Sequence, residues 1–103
     1  MIRVNIDVEG MRLEVNGHAG FAPPGQDLVC AAASTLAYTL AQNLVLTLQP
    51  DEYTAKIEDG HARIEARPPE ALADDCRRIF MTIANGFYML EVQFDQYIQL
   101  EGE

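Results

Sequence analysis

The residues Ile2-Arg3-Val4-Asn5-Ile6-Asp7-Val8, then Glu9-Gly10, then Met11-Arg12-Leu13-Glu14-Val15-Asn16 decide the fold class. Apolar and polar side chains alternate with a period of two on either side of a turn signal, the pattern of two half-buried strands joined as a hairpin. A second hairpin follows later in the chain. Tyr53, Ala55 and Ile57 form one arm and Ala62, Ile64 and Ala66 the other, around Glu58-Asp59-Gly60-His61, where Asp-Gly is a strong two-residue turn. Pro68-Pro69 ends it. Between the hairpins, a helix is predicted from about Leu28 to Leu46, capped by Asp27, with Leu28, Ala32, Leu36, Leu40 and Leu44 along one face. A second helix should run from about Glu70 to Phe94. Its apolar series is Leu72, Cys76, Ile79, Phe80, Ile83, Phe87, Leu90 and Phe94. A short final strand fits around Gln96 to Leu100. The order ββ-α-ββ-α-(β) predicts an α+β two-layer domain over residues 1–103. A mainly antiparallel sheet of four to five strands carries two helices on one face.

Composition narrows the functional classes. The chain has 103 residues and a net charge of −9, with seven Lys and Arg. Nucleic-acid binding by phosphate neutralisation needs a basic surface, so no nucleic-acid partner is expected. The acidity keeps a small protein soluble and would also draw in a basic partner. No segment approaches the roughly 18 continuous apolar residues of a membrane span, so no membrane partner is expected. The N-terminus goes directly into a strand pattern rather than a signal peptide. Two cysteines, Cys30 and Cys76, and no CxxC pair fit a cytoplasmic protein with free thiols.

The chemistry concentrates in one stretch. Gly17-His18-Ala19-Gly20-Phe21-Ala22-Pro23-Pro24-Gly25-Gln26 reads as a loop, free at its glycines and stiff in its middle. With Asp27 as N-cap, Cys30 is the third residue of the first helical turn. There the positive end of the helix dipole favours a thiolate, and first-turn amides are available for a developing oxyanion. The loop can fold back to bring the His18 imidazole near the Cys30 sulfur, the arrangement of a nucleophile and its general base. Asp27 has two roles open to it, capping the helix or orienting His18. Each residue also has a plainer role. A cysteine in an Ala-rich helix is commonly core, a histidine in a Gly-rich loop is commonly a polar turn residue, and the same holds for His61 after its hairpin turn. Cys76 lies on the apolar stripe of the second helix and reads as packing. His18 and Cys30 lack a third ligand at metal spacing, so neither a metal nor another cofactor is expected.

Gly17-His18-Ala19-Gly20 followed by Asp27-Leu28-Val29-Cys30-Ala31-Ala32-Ala33-Ser34 resembles the paired signature of the ribosomal-processing cysteine proteases, the Prp family. Both hairpins, Gly86-Phe87-Tyr88-Met89-Leu90 and Tyr97-Ile98 add to the resemblance, which spans nearly the whole chain. It implies a cytoplasmic homodimer with Cys30 as nucleophile and His18 as base. It also implies a peptide substrate, the N-terminal extension of precursor large-subunit ribosomal protein twenty-seven. Asp27 and Ser34 match positions near the family's site. Ala33, smaller than the branched residue expected there, and the stiff Pro23-Pro24 depart from the pattern. The loop, with Gly17, Gly20 and Gly25, is expected to act as a gate, mobile without substrate. The competing expectation is a non-catalytic dimeric binding module for a ribosomal protein or assembly intermediate. A redox sensor built on Cys30 is the weaker third reading.

Overall fold

A computed structural model describes residues 1–101. The strands are β1 (Ile2–Asp7), β2 (Arg12–Asn16), β3 (Tyr53–Glu58), β4 (His61–Ala66) and β5 (Ile98–Glu101); the helices are α1 (Leu28–Thr47) and α2 (Ala73–Gln93). They form one sheet in the order β3-β4-β2-β1-β5. All pairings are antiparallel except that of β1 with β5, which is parallel. The α+β class, the element order and the fifth strand agree with the sequence reading.

Alternation decides which side of the sheet is covered. Ile2, Val4, Ile6, Leu13, Val15, Ala62, Ile64 and Ile98 are buried on the face that carries both helices. Arg3, Asn5, Arg12, Glu14 and Arg63 fall on the opposite face, which is polar. α2 supplies the largest core side chains, Phe80 and Phe87, both fully buried. Gly86 lets the helices approach closely, because a Cβ there would stand 2.6 Å from Leu36 Cδ2.

Three details differ from the sequence reading. The buried stripe of α1 is Val29, Ala33, Ala37, Leu40 and Leu44, while Leu28 is 66% exposed. This helix is apolar nearly all round, so its period alone does not select a face. It is also long and apolar enough, by length and composition, to cross a membrane, yet here it packs on the sheet. α2 begins at Ala73 rather than Glu70, since Glu70–Leu72 form a 3₁₀ turn in which Leu72 N–H donates to Pro69 O at 2.9 Å. It ends at Gln93, with Phe94 as C-cap. In the first hairpin Met11, read as the start of the second strand, belongs to the turn with a left-handed φ of 54°, so β2 begins at Arg12, and Gly10 N–H bonds Asp7 Oδ1 at 2.8 Å.

Candidate active site

Three elements converge at the start of α1: the end of β2, the loop from Gly17 to Gln26, and the β3–β4 turn. Gly17 leaves β2 with φ +98°, and its N–H donates to Gly60 O at 2.9 Å, tying the loop to the second hairpin. A side chain at Gly17 would collide with Met1 O, 2.5 Å from an added Cβ. His18 follows, its carbonyl accepting from the N-terminal ammonium at 2.6 Å. Ala19 is buried, and its N–H donates to Cys30 Sγ at 3.4 Å. Loop and nucleophile candidate are thus joined one residue beyond the histidine.

Asp27 organises the rest. Its Oδ1 accepts from Cys30 N–H at 2.9 Å, the N-cap bond, while Oδ2 accepts from Phe21 N–H at 3.0 Å and Ala22 N–H at 3.4 Å. The residue is only 9% exposed. Burial works to raise its pKa, but the amides of Cys30, Ala22 and Phe21 outweigh that and hold the carboxyl below its usual range. Among the described residues no hydrogen bond joins Asp27 to His18. The Cys30 amide is therefore occupied by the cap, and Ala31 N–H by Asp27 O. That leaves the first-turn oxyanion donors anticipated from the sequence to Leu28 and Val29.

Phe21 fastens the loop at its other side. Its ring meets those of Phe94 and Tyr97 edge-on, with centroids 5.6 and 5.1 Å apart. Gly20 and Gly25, both at positive φ, flank the Phe21–Pro24 stretch with open space around them.

Cys30 is half-buried and stands between two depressions. The larger, about 630 Å³, runs along Gly20, Pro24, Gln26, Leu28 and Ala31; the smaller, about 100 Å³, lies toward Val15, Ala37, Ile57 and His61. His18, Cys30, Ser34 and Asp59 line both. The structure thus brings His18, Cys30 and Ser34 to one place, and Asp27, the cap and loop anchor, lines the larger depression beside them. No hydrogen bond links His18 to Cys30 among the described residues. The sequence read Asp59, Gly60 and His61 only as a turn, yet all three line this site. His61 Nδ1–H donates to Asn16 Oδ1 at 2.6 Å across the β2–β4 pair. Nothing local in the sequence signals this, because the hairpin reaches Cys30 only through the sheet order. Cys76, fully buried, differs in kind: burial pushes its thiol pKa up, and the Asp75 and Glu52 carboxylates add to the shift.

A two-layer α+β domain with a half-buried cysteine in the first turn of a helix, sharing a cleft with a histidine, has the layout of a thiol hydrolase. The family model for the cysteine protease Prp matches residues 1–99, and the chain belongs to that family of cysteine proteases, which is involved in ribosomal protein processing. No curated protein sequence matches this one. Among solved structures it is similar to the essential ribosomal processing protease Prp from S. aureus in complex with a covalently linked product peptide. That likeness has a TM-score of 0.79 at 21% identity, over 99% of this chain and 97% of the other. The same protease with a substrate peptide gives 0.76 at 22%, with both chains fully covered. SMU.848 from Streptococcus mutans gives 0.69 at 26%, over 98% of this chain and 92% of that one.

Proposed function

We propose that this chain is a cytoplasmic cysteine endopeptidase that removes the N-terminal extension of large-subunit ribosomal protein twenty-seven during ribosome maturation. The supporting observation is that Cys30 and His18 together line both depressions at the capped start of α1. His18 takes the thiol proton, and Cys30 Sγ attacks the scissile carbonyl carbon. The tetrahedral adduct collapses as the peptide C–N bond breaks, with the imidazolium protonating the leaving amine. Water, activated by the neutral imidazole, then hydrolyses the thioester and frees the enzyme. Ser34 borders the cleft beside Cys30; Asp27 holds the nucleophile's helix turn and the loop in register. The S. aureus protease is known in complex with a substrate peptide and with a covalently linked product peptide, which supports a peptide as ligand.

The Gly17–Gln26 loop gates the cleft, and the chain works as a homodimer that binds neither nucleic acid nor membrane. Support for pairing comes from the outer helix faces. Tyr38, Val45 and Leu46 on α1 and Met81, Tyr88 and Met89 on α2 are exposed, on segments free of charged residues over Leu28–Thr47 and Ile79–Leu90.

The test is incubation with the precursor ribosomal protein, reading loss of the extension by mass. Cys30→Ala and His18→Ala are each expected to abolish cleavage while leaving the circular dichroism spectrum intact. Processing by the Cys30→Ala protein would defeat the reading. Alkylation separates an enzyme from a binding module: near neutral pH Cys30 should react far faster than in the His18→Ala variant. Equal rates would favour the module.

A further inference from the structure

We infer that Gly60 is a positioning residue for His18, so that the β3–β4 turn fixes where the imidazole stands in the cleft. The inference rests on the reading of His18 as the base. Gly60 lies far from His18 in sequence, yet the sheet order β3-β4-β2 sets the two side by side. The turn is bolted to the loop by the bond from Gly17 N–H to Gly60 O, one residue before the histidine. A Cβ on Gly60 would stand 2.7 Å from His18 Nε2, 3.3 Å from Cε1 and 3.4 Å from Cδ2. The tip of the imidazole therefore occupies the space a side chain at position 60 would need; a separation below 3.0 Å is not sustained, and the imidazole, at the far end of its side chain, is the part that shifts. Both residues line the small cavity with Cys30.

The physical consequence is a wall on one side of the imidazole. His18 has two rotatable side-chain bonds, and contact with Gly60 limits its swing toward the hairpin. Any side chain at position 60 pushes the ring toward a different position relative to Cys30. Proton transfer is sensitive to such a displacement, since misplacing a reacting group by about 1 Å can cost on the order of 10²-fold in rate. Gly60 also has φ +73°, so a turn requirement and a positioning requirement coincide at one residue. They are separable, because Asn tolerates the left-handed region while still carrying a Cβ.

The experiment uses the full chain with Gly60→Asn and Gly60→Ala, alone and combined with His18→Ala. Gly60→Asn should fold, lose roughly 10- to 100-fold in kcat with KM within about twofold, and alkylate Cys30 with iodoacetamide along a pH profile displaced toward that of His18→Ala. The drop in melting temperature from Gly60→Ala should shrink once His18→Ala has removed the ring it strikes. Wild-type cleavage and alkylation by Gly60→Asn, with His18→Ala inactive, would overturn this inference alone. An equal melting-temperature drop in both backgrounds would also overturn it. A His18→Ala protein that cleaves and alkylates normally would overturn the base reading and this one together.

Discussion

Asp27 shows how one carboxylate can serve two segments. Its two oxygens hold the third amide of α1 and two amides of the loop, so its charge is matched by three N–H donors and by the positive helix end. Its folded pKa lies below the usual value, so its contribution is fully present above the unfolded carboxylate pKa of about 3.9 and is lost as pH falls through the lower, folded value. Asp27→Ala is expected to cost about 1–2 kcal/mol at pH 7, as loss of an N-cap does, and the gap to wild type should close in strongly acidic solution. Denaturant melts at both pH values check this. A gap that widens on acidification would contradict the hydrogen-bond account. Cys76, by contrast, should resist thiol reagents in the native state and react on unfolding, which titration with and without denaturant would show.

Among the elements, the two helices differ in how much their sequences reveal. α2 carries Asp74, Asp75, Arg77 and Arg78 against a regular apolar series, and its buried residues Cys76, Phe80, Ile83, Phe87 and Leu90 are those the period selects. Truncating Phe80 to Ala should cost about 3–5 kcal/mol, read by denaturant unfolding. α1 lacks charged residues, so its period leaves the buried face open, and the sheet selects Val29 and Ala33 instead of Leu28 and Ala32. The loop before α1 is likewise fixed from outside itself, by the Phe21 ring on Phe94 and Tyr97. Aromatic pairs of this kind contribute about 0.5–1.5 kcal/mol beyond area burial. Phe21→Ala should therefore speed hydrogen exchange at the Phe21 and Ala22 amides by about 2- to 10-fold. Unchanged exchange would mean that the Asp27 bonds alone hold the loop.

At the scale of the whole molecule, charge and apolar surface are segregated. The chain carries −9 overall, yet the outer faces of α1 and α2 expose Tyr38, Val45, Tyr88 and Met89 in segments with no charged residue. In the proposed homodimer, two copies that each carry −9 would repel least through such a face, and exposed apolar area of this kind is suited to docking. Tyr38→Glu combined with Tyr88→Glu should convert a dimer to a monomer in sedimentation velocity without lowering helix content; persistence of the dimer would place the interface elsewhere. The remaining acidic surface should help capture a basic substrate, so kcat/KM is expected to fall as salt rises. A rate indifferent to ionic strength would remove steering from the account.

The sequence by itself determined the α+β class, both hairpins, the order of elements and the candidate pair Cys30 and His18. These depend on period, turn residues and motif spacing, which are local properties. Tertiary structure alone decided the buried face of α1, the pairing of β1 with β5, and the wall that Asp59, Gly60 and His61 give the cleft. Each depends on which strands become neighbours, a choice made by burial of the whole apolar surface at once. Asp27 lies on the boundary between the two. Its capping role is legible three residues ahead of Cys30, but its grip on the loop exists only because Phe21 is folded back over the helix start.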